Sequence, residues 1–127
     1  MHGLLDDVVR VIFRDRDGAI WFGSAKGVSR LDEKMATNRF AKFPLAVADP
    51  KDGIRSILQT RDGRIWVAGS RGLAWFDGKA FRPGEASGGP SNPARMALAA
   101  DGTIWVTSQS SGLWRFDGAR FSEIELG

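Results

Sequence analysis

The amino-acid sequence predicts an all-β fold: three tandem four-stranded antiparallel repeats, the blades of a partial β-propeller or of a ring completed by oligomerisation. Three observations predict it. One set of landmarks recurs along the chain: Asp17-Gly18, Asp62-Gly63 and Asp101-Gly102 each stand just before Ile20-Trp21, Ile65-Trp66 and Ile104-Trp105. The spacing is regular, Trp21 to Trp66 being 45 residues and Trp66 to Trp105 being 39. The composition is rich in turn formers and aromatics, with 16 Gly, five Trp and eight Phe, as short strands joined by tight turns require. No stretch sustains a 3.6-residue apolar period, so little helix is expected.

The middle repeat justifies the strands in order. Ile54 to Thr60 is rich in apolar and β-branched residues and forms the first strand. Arg61-Asp62-Gly63 turns the chain, because Asp-Gly tolerates the positive φ of a tight hairpin. Ile65 to Ala68 is the second strand, Gly69 to Gly72 the next loop, and Leu73 to Asp77 the third strand. Gly78-Lys79 turns again into Ala80 to Arg82. Leu73 and Trp75 lie on one face of this sheet, Ala74 and Phe76 on the other, so both faces are apolar, as a sheet sandwiched between neighbours needs. Gly27-Val28 and Gly112-Leu113 match Gly72-Leu73, and Leu31-Asp32 and Phe116-Asp117 match Phe76-Asp77. The chain thus reads as a single segment, 1–127, with blades at about 8–44, 53–83 and 93–124. Trp21, Trp66 and Trp105 stand at one strand position beside Ile and read as rings that fill blade interfaces. Trp75 and Trp114 do not repeat at one position, and they too read as packing residues.

Several function classes are excluded or weakened. The net charge of +3 comes from scattered residues, with no basic run for nucleic acid. No run approaches the roughly 20 apolar residues of a membrane span, and residues 1–7 carry early acids and no apolar signal core. Without Cys there is neither a disulfide nor a thiolate metal site. His2 is the sole histidine, which leaves no histidine-based triad or metal cluster. Asp6-Asp7 would hold a cation only weakly, and Asp17 of Asp15-Arg16-Asp17 belongs to the repeated turn. No enzymatic activity, metal or cofactor is expected.

Chain direction sorts the loops. The Asp-Gly turns lie at one end of the blades; the second-to-third-strand loops and the inter-blade linkers lie at the other. Arg10, Arg55 and Arg95 stand near the start of the first strands, at spacings of 45 and 40. They suit a basic lining at the channel mouth for an anionic sugar or a carboxylate; the competing reading is that each arginine bridges neighbouring blades or snorkels from a strand end. Lys26 and Arg71 occupy equivalent loops at the same end.

The run Asp62-Gly63-Arg64-Ile65-Trp66-Val67-Ala68-Gly69-Ser70-Arg71-Gly72-Leu73-Ala74-Trp75-Phe76-Asp77, matched at 17–28 and 101–108, resembles the two-component regulator propeller repeat. That family supplies the sensor regions of bacterial hybrid histidine kinases and diguanylate cyclases. The resemblance implies a periplasmic ligand-sensing segment, accompanied by further blades of a larger chain or by a second copy. A protein-interaction scaffold is the alternative. Streptogramin lyases have similar Asp-Gly-x-x-Trp blades, but their chemistry needs a histidine base that this chain lacks. Three blades leave two open apolar faces, so pairing of two copies head to tail into one ring is expected.

Overall fold

The computed structural model describes residues 8–32, 39–84 and 89–125. Twelve strands form three separate four-stranded sheets, each in simple meander order. Blade 1 comprises β1 (Val9–Arg14), β2 (Ile20–Ser24), β3 (Gly27–Asp32) and β4 (Arg39–Pro44). Blade 2 comprises β5 (Ile54–Gln59), β6 (Ile65–Gly69), β7 (Gly72–Phe76) and β8 (Phe81–Pro83). Blade 3 comprises β9 (Pro93–Leu98), β10 (Ile104–Ser108), β11 (Gly112–Phe116) and β12 (Phe121–Ile124). All pairings are antiparallel, and the first strands β1, β5 and β9 lie side by side as the inner strands of adjacent blades. No helix is present among the described residues.

The repeated residues carry the local geometry. The Asp15 carboxylate accepts hydrogen bonds from the backbone N–H groups of Asp17 and Ala19 and from Trp21 Nε1, tying the hairpin to the ring that follows it. Where β3 starts, Gly27 has φ +148°, and a Cβ there would lie 2.2 Å from the Phe43 carbonyl oxygen. Glycine is needed at that point because the outer strand approaches too closely for any side chain.

Two buried layers separate the three sheets. In the first, Trp21 is 1% exposed and meets Phe76 and Phe81 of blade 2 edge-on, at 5.3 and 6.0 Å between ring centroids. Ile54, Ile57, Ile65 and Val67 complete that layer. In the second, Trp66 is 2% exposed and lies 5.1 Å from the Phe116 ring of blade 3, packed with Ile104, Val106 and Phe121. The Trp-bearing face of each blade therefore packs on the Ile-bearing face of the next. Trp105 departs from the interface role expected for it: it is half-buried and has no ring partner among the described residues. Trp75 and Trp114 pack at the edge of the second layer.

Candidate functional site

The inner strands bring Arg10, Arg55 and Arg95 to one cavity of about 280 Å³, lined also by Val11, Asp52, Ile54, Ala94 and Gln109. It opens at the linker end of the blades, as the chain direction requires. Strand pairing fixes what each arginine does there.

Arg10 and Arg55 both sit at β-bulges, where the register of the inner strand shifts between Val9 and Val11 and between Ile54 and Ser56. A bulge re-aims a side chain out of the ladder, and here it sends both arginines toward the next blade. Arg55 donates Nη1 to Asn92 Oδ1 at 2.7 Å and to the Pro93 carbonyl at 3.2 Å. Its Nη2 donates to Asp52 Oδ2 at 2.7 Å and to Gln109 Oε1 at 3.4 Å. With 14% of its side chain exposed, Arg55 is a strut between blades 2 and 3. Arg10 reaches blade 2 in the same way, but its target is Gly53, where a Cβ would lie 2.9 Å from Arg10 Cδ. Gly53 and Asn92 occupy equivalent positions, each just before the first residue of an inner strand; glycine offers no side-chain acceptor, and the Arg10 guanidinium has no hydrogen-bond or ion-pair partner among the described residues.

Arg95 is one residue out of this register. Pro93 pairs with Ser108 and Arg95 with Thr107, so the bulged position of blade 3 is Ala94. The spacing of 40 between Arg55 and Arg95 matched the Gly72–Gly112 interval, whereas the inner strand follows the 39-residue Trp66–Trp105 interval. The extra residue of blade 3 enters after β10, within Gln109–Ser111, and that difference in spacing was the signal for Ala94. Arg95 still lines the cavity, is exposed, and has no side-chain hydrogen-bond or ion-pair partner among the described residues.

Lys26 and Arg71 lie outside this cavity. Lys26 is exposed, and Arg71 Nε lies 3.9 Å from Asp49 Oδ2 beside a separate groove along Leu45–Val47 and Phe81–Pro83. His2, Asp6 and Asp7 fall outside the described residues.

A second arginine device went unread in the sequence. Arg16 donates its backbone N–H to Gln59 Oε1 at 2.9 Å, and its guanidinium to the Thr60 and Arg61 carbonyls of blade 2. Arg61, its equivalent, lies over Gly102 of blade 3, where a Cβ would meet Arg61 Cδ at 3.2 Å. The signal was Arg immediately before Asp-Gly in repeats one and two, replaced by Ala100 in repeat three.

A larger cavity of about 500 Å³ lies at the Asp-Gly end between blades 1 and 2. Its polar groups are mostly committed. Asp15 caps its hairpin, and Asp77 accepts from the backbone N–H groups of Ala80 and Lys79 and from Arg82 Nε. Those bonds, the Ala80 one first, hold the Asp77 carboxyl far below the usual carboxylate range. Arg30 lies over the Trp21, Phe76 and Phe43 rings at 5.4, 5.5 and 6.0 Å, and Arg64 over Trp75 at 4.1 Å. Carboxylates outnumber arginines there, so the arginine cavity is the better anion site.

Sheets of four strands, stacked in series through Trp-bearing faces, define a segment of a β-propeller. Its first two repeats are similar to the two-component regulator propeller, whose family model matches residues 3–26 and 49–71. Solved structures share the fold. A catalytically inactive virginiamycin B lyase from Staphylococcus aureus, with quinupristin, superposes at TM-score 0.74 with 19% identity, covering 96% of this chain and 43% of that one. A streptogramin B lyase gives TM-score 0.70 and 23% identity over 93% of this chain and 40% of that one. The extracellular domain of a hybrid two-component system from B. thetaiotaomicron gives 0.69 and 21% over 93% of this chain and 17% of that one. The chain thus spans less than half of each of these proteins, and at such identities the likeness is one of fold. No curated protein matches the chain.

Proposed function

We propose that this chain is a non-enzymatic, ligand-sensing segment of a two-component-type sensor, binding an anionic sugar or a small carboxylate at the arginine cavity. The observation that carries the reading is Arg10: a guanidinium with five donors and no hydrogen-bond or ion-pair partner among the described residues, held over a glycine beside the anchored Arg55. Arg95 faces the same space from blade 3. Two guanidiniums flanking one opening favour a planar, bidentate acceptor such as a carboxylate. A location outside the cytoplasm belongs to the same proposal, supported by the family of the repeats and by the extracellular domain among the similar structures.

The test is thermal unfolding in the presence of uronic-acid oligosaccharides and dicarboxylates. A binder at 100 times its dissociation constant adds about 2.7 kcal/mol to stability, read as a rise in Tm. Arg10→Gln should abolish that rise, and Lys26→Gln should leave it intact. No rise with any member, or a rise indifferent to Arg10→Gln, overturns the proposal.

A further inference from the structure

The turn carboxylates Asp17, Asp62 and Asp101 hold one repeat position, yet only two of them are paired. Asp62 accepts the Thr60 hydroxyl and the Arg64 backbone N–H, and its Oδ2 lies 3.4 Å from Arg64 Nε. Asp101 accepts the backbone N–H and the hydroxyl of Thr103, and its Oδ2 lies 3.7 Å from Arg115 Nη2. In blade 1 it is Asp15 that caps the turn, accepting the N–H groups of Asp17 and Ala19. The Asp17 carboxylate is left with no hydrogen-bond or ion-pair partner among the described residues.

Its counterpart cation is also unpaired. Arg30 pairs across its sheet with Trp21 as Arg115 pairs with Trp105, so Arg30 and Asp17 hold the positions of the Arg115–Asp101 ion pair. Between blades 1 and 2, however, the Arg30 guanidinium lies over the Trp21, Phe76 and Phe43 rings and makes no hydrogen bond or ion pair among the described residues. Both unpaired groups line the cavity of about 500 Å³ at the Asp-Gly end, with the half-buried Trp75 as an apolar wall. The other charges there are matched, Asp62 by Arg64 and Asp77 by Arg82, while Asp15 already accepts three hydrogen bonds. A plain anion would meet the carboxylates of this lining and a plain cation its guanidiniums; a ligand bearing both signs answers both unpaired groups. The Arg115–Asp101 contact shows that these two positions lie within reach of adjacent charges on one small molecule.

We propose that this cavity is a second binding site, for a zwitterionic α-amino acid with an apolar side chain. The ligand carboxylate takes the Arg30 guanidinium, a planar donor suited to it. The ligand ammonium takes the Asp17 carboxylate, and the apolar side chain lies against Trp75. The volume falls within the roughly 300–1,000 Å³ of small-molecule sites. The site lies at the opposite end of the blades from the arginine cavity and does not depend on the ligand proposed there.

Isothermal titration of the full chain with leucine, methionine and phenylalanine, and with the N-acetyl and carboxamide forms of each, tests it. At least one free amino acid should bind saturably. Blocking either end should weaken binding about tenfold or more, as the loss of a charged hydrogen bond does. Asp17→Asn should weaken the free amino acid by a similar factor and leave the N-acetyl form unchanged. Arg30→Gln should weaken the free amino acid and leave the carboxamide unchanged; Arg30→Lys, which keeps a charge over the rings, should lose less. Arg10→Gln should leave binding intact. No saturable binding, binding indifferent to N-acetylation or to Asp17→Asn, or binding lost in Arg10→Gln would overturn the proposal. Circular dichroism and thermal melts of each variant separate lost folding from lost binding.

Discussion

Trp66 and Trp105 occupy the same position of the same strand in neighbouring blades, yet one is 2% exposed against the Phe116 ring and the other stands half-buried without a ring partner. Their strands share Ile-Trp-Val and part only beyond it, at Ala68-Gly69 and Thr107-Ser108. What separates them most is the sheet in front: Trp66 faces blade 3, and Trp105 faces none of the described sheets. The grips differ in parallel, since Arg55, Arg61 and Ala68 become Ala94, Ala100 and Thr107 one repeat later. A repeat protein is stabilised by its interfaces as much as by its units, so one residue type at one repeat position carries different energies along the chain.

The contrast can be broken most directly at the tryptophans. Trp66→Ala should cost about 3–5 kcal/mol in chemical denaturation, as removal of a fully buried large ring does. Trp105→Ala, measured at concentrations where the chain is monomeric, should cost well under half of that; equal losses would mean that both rings are buried alike. Making blade 1 resemble blade 3 comes next. Gly23→Thr forces a branched side chain against Ile54 and should destabilise by about 1–3 kcal/mol, while Thr107→Gly should leave that interface untouched. Arg16→Ala removes hydrogen bonds to two carbonyls of the next blade and should cost about 1 kcal/mol, a loss that Arg95→Ala should not show.

The smallest effect sharpens the comparison at the turns. Asp77, Asp101 and Asp117 are all held below the usual carboxylate range: Asp77 and Asp117 first by backbone N–H groups, Asp101 first by the Thr103 hydroxyl. A carboxylate whose folded pKa is depressed contributes stability above its unfolded pKa and loses it as pH falls through the folded one. Acid unfolding should therefore steepen below about pH 4. Asp77→Asn should flatten the curve there and lower stability at neutral pH; an unchanged acid limb would refute the assignment.

The strands were legible because their signals are local. An Asp-Gly pair followed by Ile-Trp specifies a hairpin and a buried ring whatever surrounds it, and β5 to β8 lie within a residue or so of where the pattern put them. The arginines were only partly legible. Their clustering at one cavity followed from chain direction, but a spacing of 40 could not distinguish the bulge position from its neighbour. That required knowing on which side of β10 the extra residue falls. The strut role of Arg55 depended on Asn92, 37 residues away, and the setting of Arg10 on a glycine in the next blade.

By itself, the sequence determined the repeat, the meander of each sheet and the residues turned toward a neighbour, because turn chemistry and side-chain alternation act over a few residues. Only the tertiary structure decided which of those residues found a partner. Burial, a hydrogen-bond acceptor and room for a Cβ are properties of the facing sheet, and the facing sheet lies about forty residues away in the chain.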